Sequence, residues 1–440
     1  MTVSETAPRF RTQSVNLPVE VYKGPAAIVT AAGQFSAEVL VIDFRWLPST
    51  GLYISASVDA PGPIQVSPTD VFRLPDQTEF SISMTRMQGG AFLPTSSVEG
   101  WILGHVEGGS GPVKEIRFEI PNLPAFRGEA IQSPDQRTGW FGRKVLEAGP
   151  WRILIDSIRD HNQLREQLRA SGGFALLDTC SITRIDGAEF QPDEATETLE
   201  ALRLFLSFIS GHWTAPLLLI GIDAGGGSAW YRWTSPTLGR WRGHLGCLPE
   251  FVVDGGKVRL PAFPAAWGQF LHLWSDPDAH EALVWAISWY VEANSVTSAE
   301  LTLTLAQAGL EVLAWYQMAV LGGMRRKEFE NNVQAVSKIR NLLASMNVRL
   351  ELPNGTGLGD LLAFANSTNP RLDGPEAFTR VRNSTIHPRA GTGRVDAAVR
   401  IDASRLGLSY VELGILHLLS YRDQYLDKTF AMKPKTVPWG

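Results

Sequence analysis

The strongest constraint on the fold is a change in hydrophobic pattern along the chain. Five short β-prone runs, separated by clusters of Pro, Gly and Ser, lie in the first 150 residues, at 39–44, 52–58, 79–84, 100–105 and 115–120. Such repeated short strands predict an antiparallel sheet or sandwich. After Pro277 the apolar residues recur at helical spacing instead. We therefore expect an α+β multidomain protein with a β-rich N-terminal region and an all-α C-terminal region.

The middle of the chain combines both patterns. Strand-like runs at 152–155 and 174–184 alternate with helical segments at 157–170 and 193–209. Residues 217–223 and 229–233 flank three glycines, which is typical of a hairpin. We interpret 151–275 as an α/β continuation of the N-terminal module. The predicted domains are therefore 1–150, 151–275 and 276–430, with a linker at 274–278 and a tail at 431–440.

Six helices are predicted after this linker, at 277–294, 298–321, 325–346, 357–366, 375–386 and 404–426. Ser298 is suited to cap the second helix, and Pro375 suits the first position of the fifth. The second helix is apolar over more than one stripe, which indicates either deep burial or a covering partner. The residues beyond one core face are Leu303, Leu310, Leu313, Trp315, Met318 and Leu321.

Composition excludes several classes of protein. Two cysteines, Cys180 and Cys247, cannot build a disulfide scaffold or a zinc site of cysteine pairs. The first residues contain no apolar signal core, and no run approaches the roughly 20 apolar residues of a membrane span. We therefore expect a soluble protein of the reducing cytoplasm that is not associated with a membrane.

The charge distribution is uneven. The net charge is −5, yet residues 321–405 contain 13 Lys or Arg and only 8 Asp or Glu. A basic segment on an acidic chain suggests an anionic ligand, although scattered solvated charges explain it equally well.

One short motif in the helical region carries possible chemistry. Arg382, Asn383 and His387 lie together, directly before Pro388. A residue before proline avoids the α conformation, so the helix should end near Ile386 and turn His387 back towards Arg382. Arginine grips phosphate with two donors, and histidine transfers protons at neutral pH. The residues alone also allow an ordinary helix end, because this spacing is common by chance.

The string VRNSTIHP at residues 381–388 resembles the Arg-x(4–6)-His signature of the HEPN superfamily, and Asn383 matches its polar residue after the arginine. Residues 309–316 (GLEVLAWY) are similar to the Leu-Glu-x-Leu helix of these domains. This resemblance covers about residues 277–430. Residues 199–233 look like the N-terminal module of ApeA-like abortive-infection proteins, and that resemblance extends over about 150–270.

Membership of this superfamily implies a metal-independent endoribonuclease that needs no cofactor. Arg382 would bind the scissile phosphate, His387 would act as general acid or base, and Asn383 would orient the pair. HEPN domains usually dimerise, so we expect a homodimer or a larger even-numbered assembly with RNA as substrate. The resemblance also implies bacterial antiphage defence, with the N-terminal region as the sensor of a phage-derived trigger.

Glu311 is a further candidate in a supporting role. A glutamate within an apolar helix is costly unless it is paired, and Arg382 is a possible partner. Such a contact would be structural as much as catalytic.

Two other functions stay open at this point. The first is a non-catalytic HEPN dimer that binds RNA or nucleotide, or that serves as a protein-interaction module. The second places the function in the β-rich region, as a protein- or carbohydrate-recognition module, with the helices serving only dimerisation.

Overall fold

A computed structural model describes the chain except for residues 1, 2, 5, 13, 32, 60–66, 68–69, 89–94, 133–137, 356, 387–394 and 440. The chain forms two compact units. The first consists of Met1–Arg203 and Thr214–Gly243, and the second of Leu204–Trp213 and His244–Gly440. The expected α+β architecture, with a β-rich N-terminal region followed by a helical one, is confirmed.

The first unit contains fifteen of the strands in the described part of the chain. They are β1 (Val3–Ser4), β2 (Val19–Thr30), β3 (Gly33–Arg45), β4 (Gly51–Asp59), β5 (Val71–Arg73), β6 (Glu79–Gln88), β7 (Thr95–Leu103), β8 (His105–Gly109), β9 (Glu115–Pro121), β10 (Glu129–Gln132), β11 (Gly139–Ala148), β12 (Trp151–Ser157), β13 (Leu176–Arg184), β14 (Leu217–Ile222) and β15 (Ser228–Thr234). Helix α1 (His161–Ser171) follows β12, and helix α2 (Thr196–Ser210) continues from this unit into the second.

Strands β2 to β7 close into a barrel in the order β2-β3-β4-β7-β6-β5. Its interior is filled by side chains that alternate along each strand, such as Leu40, Ile42 and Phe44 of β3, which are fully buried. The predicted runs at 39–44, 52–58 and 79–84 all lie in this barrel. Over this stretch, the expected antiparallel sheet or sandwich is therefore a closed barrel.

The other strands form one nine-stranded sheet in the order β1-β10-β11-β12-β13-β9-β14-β15-β8. Among the described strands of this sheet, only β1 pairs in parallel, with β10. The predicted boundary between residues 150 and 151 falls in the tight turn of the β11–β12 hairpin, where Ala148 pairs with Trp151. Backbone hydrogen bonds therefore join strands from both sides of this boundary into a single sheet, whereas residues 204–213 and 244–275 belong to the second unit.

The second unit contains the remaining helices and two hairpins. The helices are α3 (Phe263–Ser275), α4 (Pro277–Ser295), α5 (Ala299–Trp315), α6 (Arg326–Asn332), α7 (Ala335–Ser345), α8 (Gly359–Asn366), α9 (Gly374–Ile386) and α10 (Ala397–Leu418). The hairpins are β16 (Val252–Asp254) with β17 (Lys257–Arg259), and β18 (Gln424–Asp427) with β19 (Lys433–Thr436). A π-helical turn, Tyr316–Leu321, extends α5.

Several predicted boundaries differ from the structure. The linker proposed at 274–278 is a turn between two helices of the same unit, where the Asp276 side chain caps α4 by accepting from the Ala279 N–H at 2.9 Å. The helix predicted at 325–346 is interrupted at Val333, whose backbone is extended. The helix predicted at 404–426 ends at Leu418, and the predicted C-terminal tail contains β19.

Close contacts at glycines fix the relative directions of three helices in this unit. Gly374 lies against the Tyr410 hydroxyl, and Gly407 lies against the Phe378 ring, so α9 runs antiparallel to α10. Gly414 lies against Leu313, and a 2.9 Å ion pair joins Arg400 to Glu300, so α5 runs parallel to α10. Helices α5 and α9, which also pack on each other, are therefore antiparallel.

Candidate functional site

Arg382 lies towards the C-terminal end of α9 and is partly exposed. Its Nη1 donates a 3.1 Å hydrogen bond to Oδ1 of the exposed Asn383. Among the described residues it forms no ion pair with a carboxylate. Arg340 and Arg400 of the same unit differ in this respect, because they are paired with Asp373 and Glu300. The positive charge of Arg382 therefore remains available for an external anion.

The hydroxyl groups that follow Asn383 bond to the helix itself. Ser384 Oγ and Thr385 Oγ1 donate to the Val381 carbonyl at 2.7 Å and 3.0 Å. Hydroxyls that bond back to a helix carbonyl have no donor left for a ligand. Arg382 and Asn383 are therefore the donors that this part of the motif can offer to a phosphate.

His387 lies outside the described residues, as does Pro388. Helix α9 extends to Ile386, the residue at which the helix was expected to end. The expectation that His387 turns back towards Arg382 stays a prediction.

Glu311 is not paired with Arg382. Its Oε1 accepts a 2.9 Å hydrogen bond from Gln307 Nε2, one turn earlier on α5. Given these helix directions, Arg382 of α9 lies at about the same height along the helix axes as Thr302 of α5. Thr302 is nine residues before Glu311. At 1.5 Å per residue that separation is about 13 Å along the helix axes. A direct role for Glu311 at the Arg382 guanidinium is therefore not supported.

Two polar residues near Arg382 escaped the sequence reasoning. Gln307 of α5 and Thr379 of α9 are 3% and 5% exposed. Gln307 Oε1, Thr379 Oγ1 and Arg382 Nε are all buried and have no hydrogen-bond partner among the described residues. The i,i+4 spacing of Gln307 and Glu311 within an apolar helix was the signal that could have revealed this polar layer.

The outer face of α5 is apolar and only partly covered. Of the six residues expected beyond one core face, Leu303, Leu310 and Leu313 are buried, whereas Leu321 is 59% exposed and Trp315 and Met318 are intermediate. Leu301 on α5 and Trp285 on α4 are 54% and 48% exposed, and Trp285 stacks on Trp289. The monomer thus buries one part of the apolar surface of this helix and leaves another part accessible.

The described residues contain neither a candidate metal site nor a candidate membrane-spanning helix. No group of three or more His, Cys, Asp or Glu side chains is arranged to hold a metal ion. Among the helices of the described part, none has the length and apolar character that crossing a membrane requires.

Comparison with known proteins identifies two matching segments. Residues 108–244 match the YopA central domain, and residues 276–436 match the YopA C-terminal domain. The chain is 24% identical over 320 residues to the SPbeta prophage-derived uncharacterized protein YopA of Bacillus subtilis strain 168, covering 72% of this chain and 69% of that protein. No solved structure matches. The second segment starts at the predicted boundary of 276 and contains Arg382, Asn383 and Glu311.

Proposed function

We propose that the helical unit is a HEPN-type endoribonuclease whose site contains Arg382, Asn383 and His387. The observation on which the proposal rests is the exposure of Arg382 and its lack of a charged partner in the described part of the chain. The residue is partly exposed, its guanidinium has no carboxylate partner among the described residues, and its Nη1 donates to the neutral amide of Asn383. A guanidinium in this state can bind a phosphodiester through two donors.

The reaction proposed is an internal transesterification. One His387 removes the proton of the ribose 2′-hydroxyl, and the 2′-oxygen forms a bond to phosphorus. The bond from phosphorus to the 5′-oxygen breaks, and a second His387 donates a proton to that leaving oxygen. Arg382 stabilises the charge that develops on the non-bridging oxygens, and Asn383 holds the guanidinium. The products are a 2′,3′-cyclic phosphate and a 5′-hydroxyl.

RNA cleavage is expected to proceed without a divalent metal. The attacking group belongs to the substrate, and the proton transfers are assigned to histidine, so the proposed chemistry requires no metal-bound water. Purified protein should cut RNA equally well with or without EDTA, and the ends should carry 2′,3′-cyclic phosphate or 3′-phosphate. Activity that disappears in EDTA and returns with magnesium would contradict this mechanism.

The proposal requires two copies of the chain, because one copy carries one His387 for two proton transfers. A twofold axis brings identical helices together and supplies the second histidine without another gene product. The exposed apolar residues of α4 and α5, including Trp285 and Leu301, are the surface we assign to this contact. Oligomers larger than a dimer should contain an even number of chains.

Light scattering coupled to size-exclusion chromatography should give twice the monomer mass of 48.3 kDa. Changing Trp285→Glu together with Leu301→Glu should produce a monomer, because two carboxylates would be buried without partners in the contact. Phe141→Glu is a matched control, since Phe141 is 58% exposed and lies in the first unit. A wild-type monomer that retains full RNA cleavage would refute the two-copy site.

The setting we propose is phage-related defence in the bacterial cytoplasm. Its support is the similarity of this chain to a prophage-derived protein. We propose that the β-rich unit responds to a phage-derived trigger and controls cleavage by the helical unit. Cells that express the protein should lose intact RNA on phage infection and not before it. RNA loss that is independent of infection would argue against a phage-derived trigger.

A further inference from the structure

Three buried polar atoms of α5 and α9, namely Gln307 Oε1, Thr379 Oγ1 and Arg382 Nε, have no hydrogen-bond partner among the described residues. Thr302 Oγ1 donates to the Ala293 carbonyl, and Gly309 lies against Val411 of α10 and Trp289 of α4, so these two positions are on the side of α5 that faces α4 and α10. Gln307 is about 160° round the helix from Gly309. Since Gln307 is nonetheless 3% exposed, the helices on the far side of α5 cover it.

Arg382 and Thr379 lie on the side of α9 that faces α5. The Phe378 ring lies against α10, Arg340 of α7 bonds to Glu376, and the exposed Arg380 is on the solvent side. Helical spacing places Arg382 and Thr379 between Phe378 and Glu376, about 40° and 100° round the helix from Phe378. α9 also contacts α5, and Thr379 is buried, so this sector meets α5.

The side chains of Gln307 and Arg382 lean towards each other. Long side chains in a helix point towards its N-terminus, and α5 and α9 are antiparallel. Arg382 lies at about the height of Thr302 along the helix axes. Thr302 is five residues before Gln307, so Arg382 and Gln307 are separated by about 7 Å along the axes. Two extended side chains that lean together can close this gap, with Thr379 beside them.

Glu311 fixes the orientation of the Gln307 amide. Gln307 Nε2 donates a 2.9 Å hydrogen bond to Glu311 Oε1, so the amide nitrogen faces Glu311. Gln307 Oε1 then points away from Glu311. This acceptor and the Nε–H of Arg382 are both buried and without a partner in the described part of the chain.

We propose that Gln307 is a positioning residue, whose Oε1 accepts the Nε–H of Arg382 when the guanidinium binds phosphate. Nε and the Nη groups of arginine share one rigid plane, so a bond at Nε fixes the direction of the Nη donors. Glu311 then acts on Arg382 indirectly, because it orients Gln307. Glu311 itself is too far from Arg382 for a direct contact. The catalytic part of this role rests on the proposed ribonuclease function.

A double-mutant cycle tests the contact without RNA. We expect Gln307→Met and Arg382→Met, studied in the full chain with phosphate present, each to lower the folding equilibrium constant about fivefold, as loss of one hydrogen bond does. The double variant should be no less stable than the less stable single variant. Gln307→Met combined with Arg380→Met is the control, and its effects should add. Additive effects in the Gln307–Arg382 cycle would overturn the proposal.

Kinetics test the positioning role. Gln307→Met should lower kcat for RNA cleavage about tenfold with little change in KM, because the amide orients a group that acts in the transition state. Glu311→Gln should lower kcat less, since it frees the amide to rotate and does not remove it. Unchanged kcat in Gln307→Met would refute the role. A wild type that cuts no RNA would refute the ribonuclease function, while the unfolding cycle would still test the contact.

Discussion

Changing His387→Ala is expected to abolish RNA cleavage while the protein remains folded. In the proposed reaction both proton transfers use this histidine, and each such transfer contributes roughly 100-fold or more to the rate. The measurement is cleavage of cellular or purified RNA by wild type and variant at matched protein concentration.

His272→Ala is the matched control, because His272 is an exposed histidine in the last turn of another helix of the same unit. It should leave cleavage unchanged. Thermal unfolding of His387→Ala should match that of the wild type. If the two proteins cut RNA equally well, the assignment of a catalytic His387 is wrong. If neither cuts RNA but both bind it, the non-catalytic dimer becomes the better description.

The second large effect is expected from Arg382→Lys, a change that preserves charge. Lysine lacks the planar fork with which arginine binds two phosphate oxygens, and its ammonium group is a point charge on a flexible chain. Loss of a single preorganised donor of this kind typically costs about 100-fold in kcat. We expect a loss of this size, with near-normal stability because Arg382 is partly exposed.

Arg380→Lys is the control for this change. Arg380 is exposed, lies two residues away on the same helix, and forms no ion pair among the described residues. Its substitution should alter cleavage little. Unchanged turnover in Arg382→Lys would show that the residue acts only through its charge or only in the fold.

Local patterns predicted the elements of this protein well. The β-prone runs became β3, β4, β6 and β9, and the helical segments after Pro277 became α4, α5, α8 and α9. Ser298 caps α5 as expected, since its side chain accepts from the Leu301 N–H. These outcomes depend on interactions between residues within about four positions of one another. Such interactions can be inferred from the sequence pattern.

Element neighbours were not predictable in the same way. Strand β9 lies between β13 and β14, so strands from residues 1–150 and from 151–275 form one sheet, in an order that local patterns do not specify. The segment after Leu418, expected to continue as a helix, became a hairpin with the last residues of the chain. Such pairings are decided by burial and hydrogen bonding between segments that are distant in the sequence.

The candidate site also combines features set by neighbouring residues in the sequence with features set by packing between helices. The motif of Arg382, Asn383 and His387 is local in the sequence, and the position of Arg382 and Asn383 near the end of one helix followed from helical spacing. The surroundings of Arg382 are not local. Glu311 was a possible partner because of its place in an apolar helix, but in the structure its carboxylate accepts a hydrogen bond from Gln307 and forms no ion pair with Arg382. Helical periodicity states which side of a helix is apolar, whereas only the packed bundle determines which residue of the next helix stands opposite.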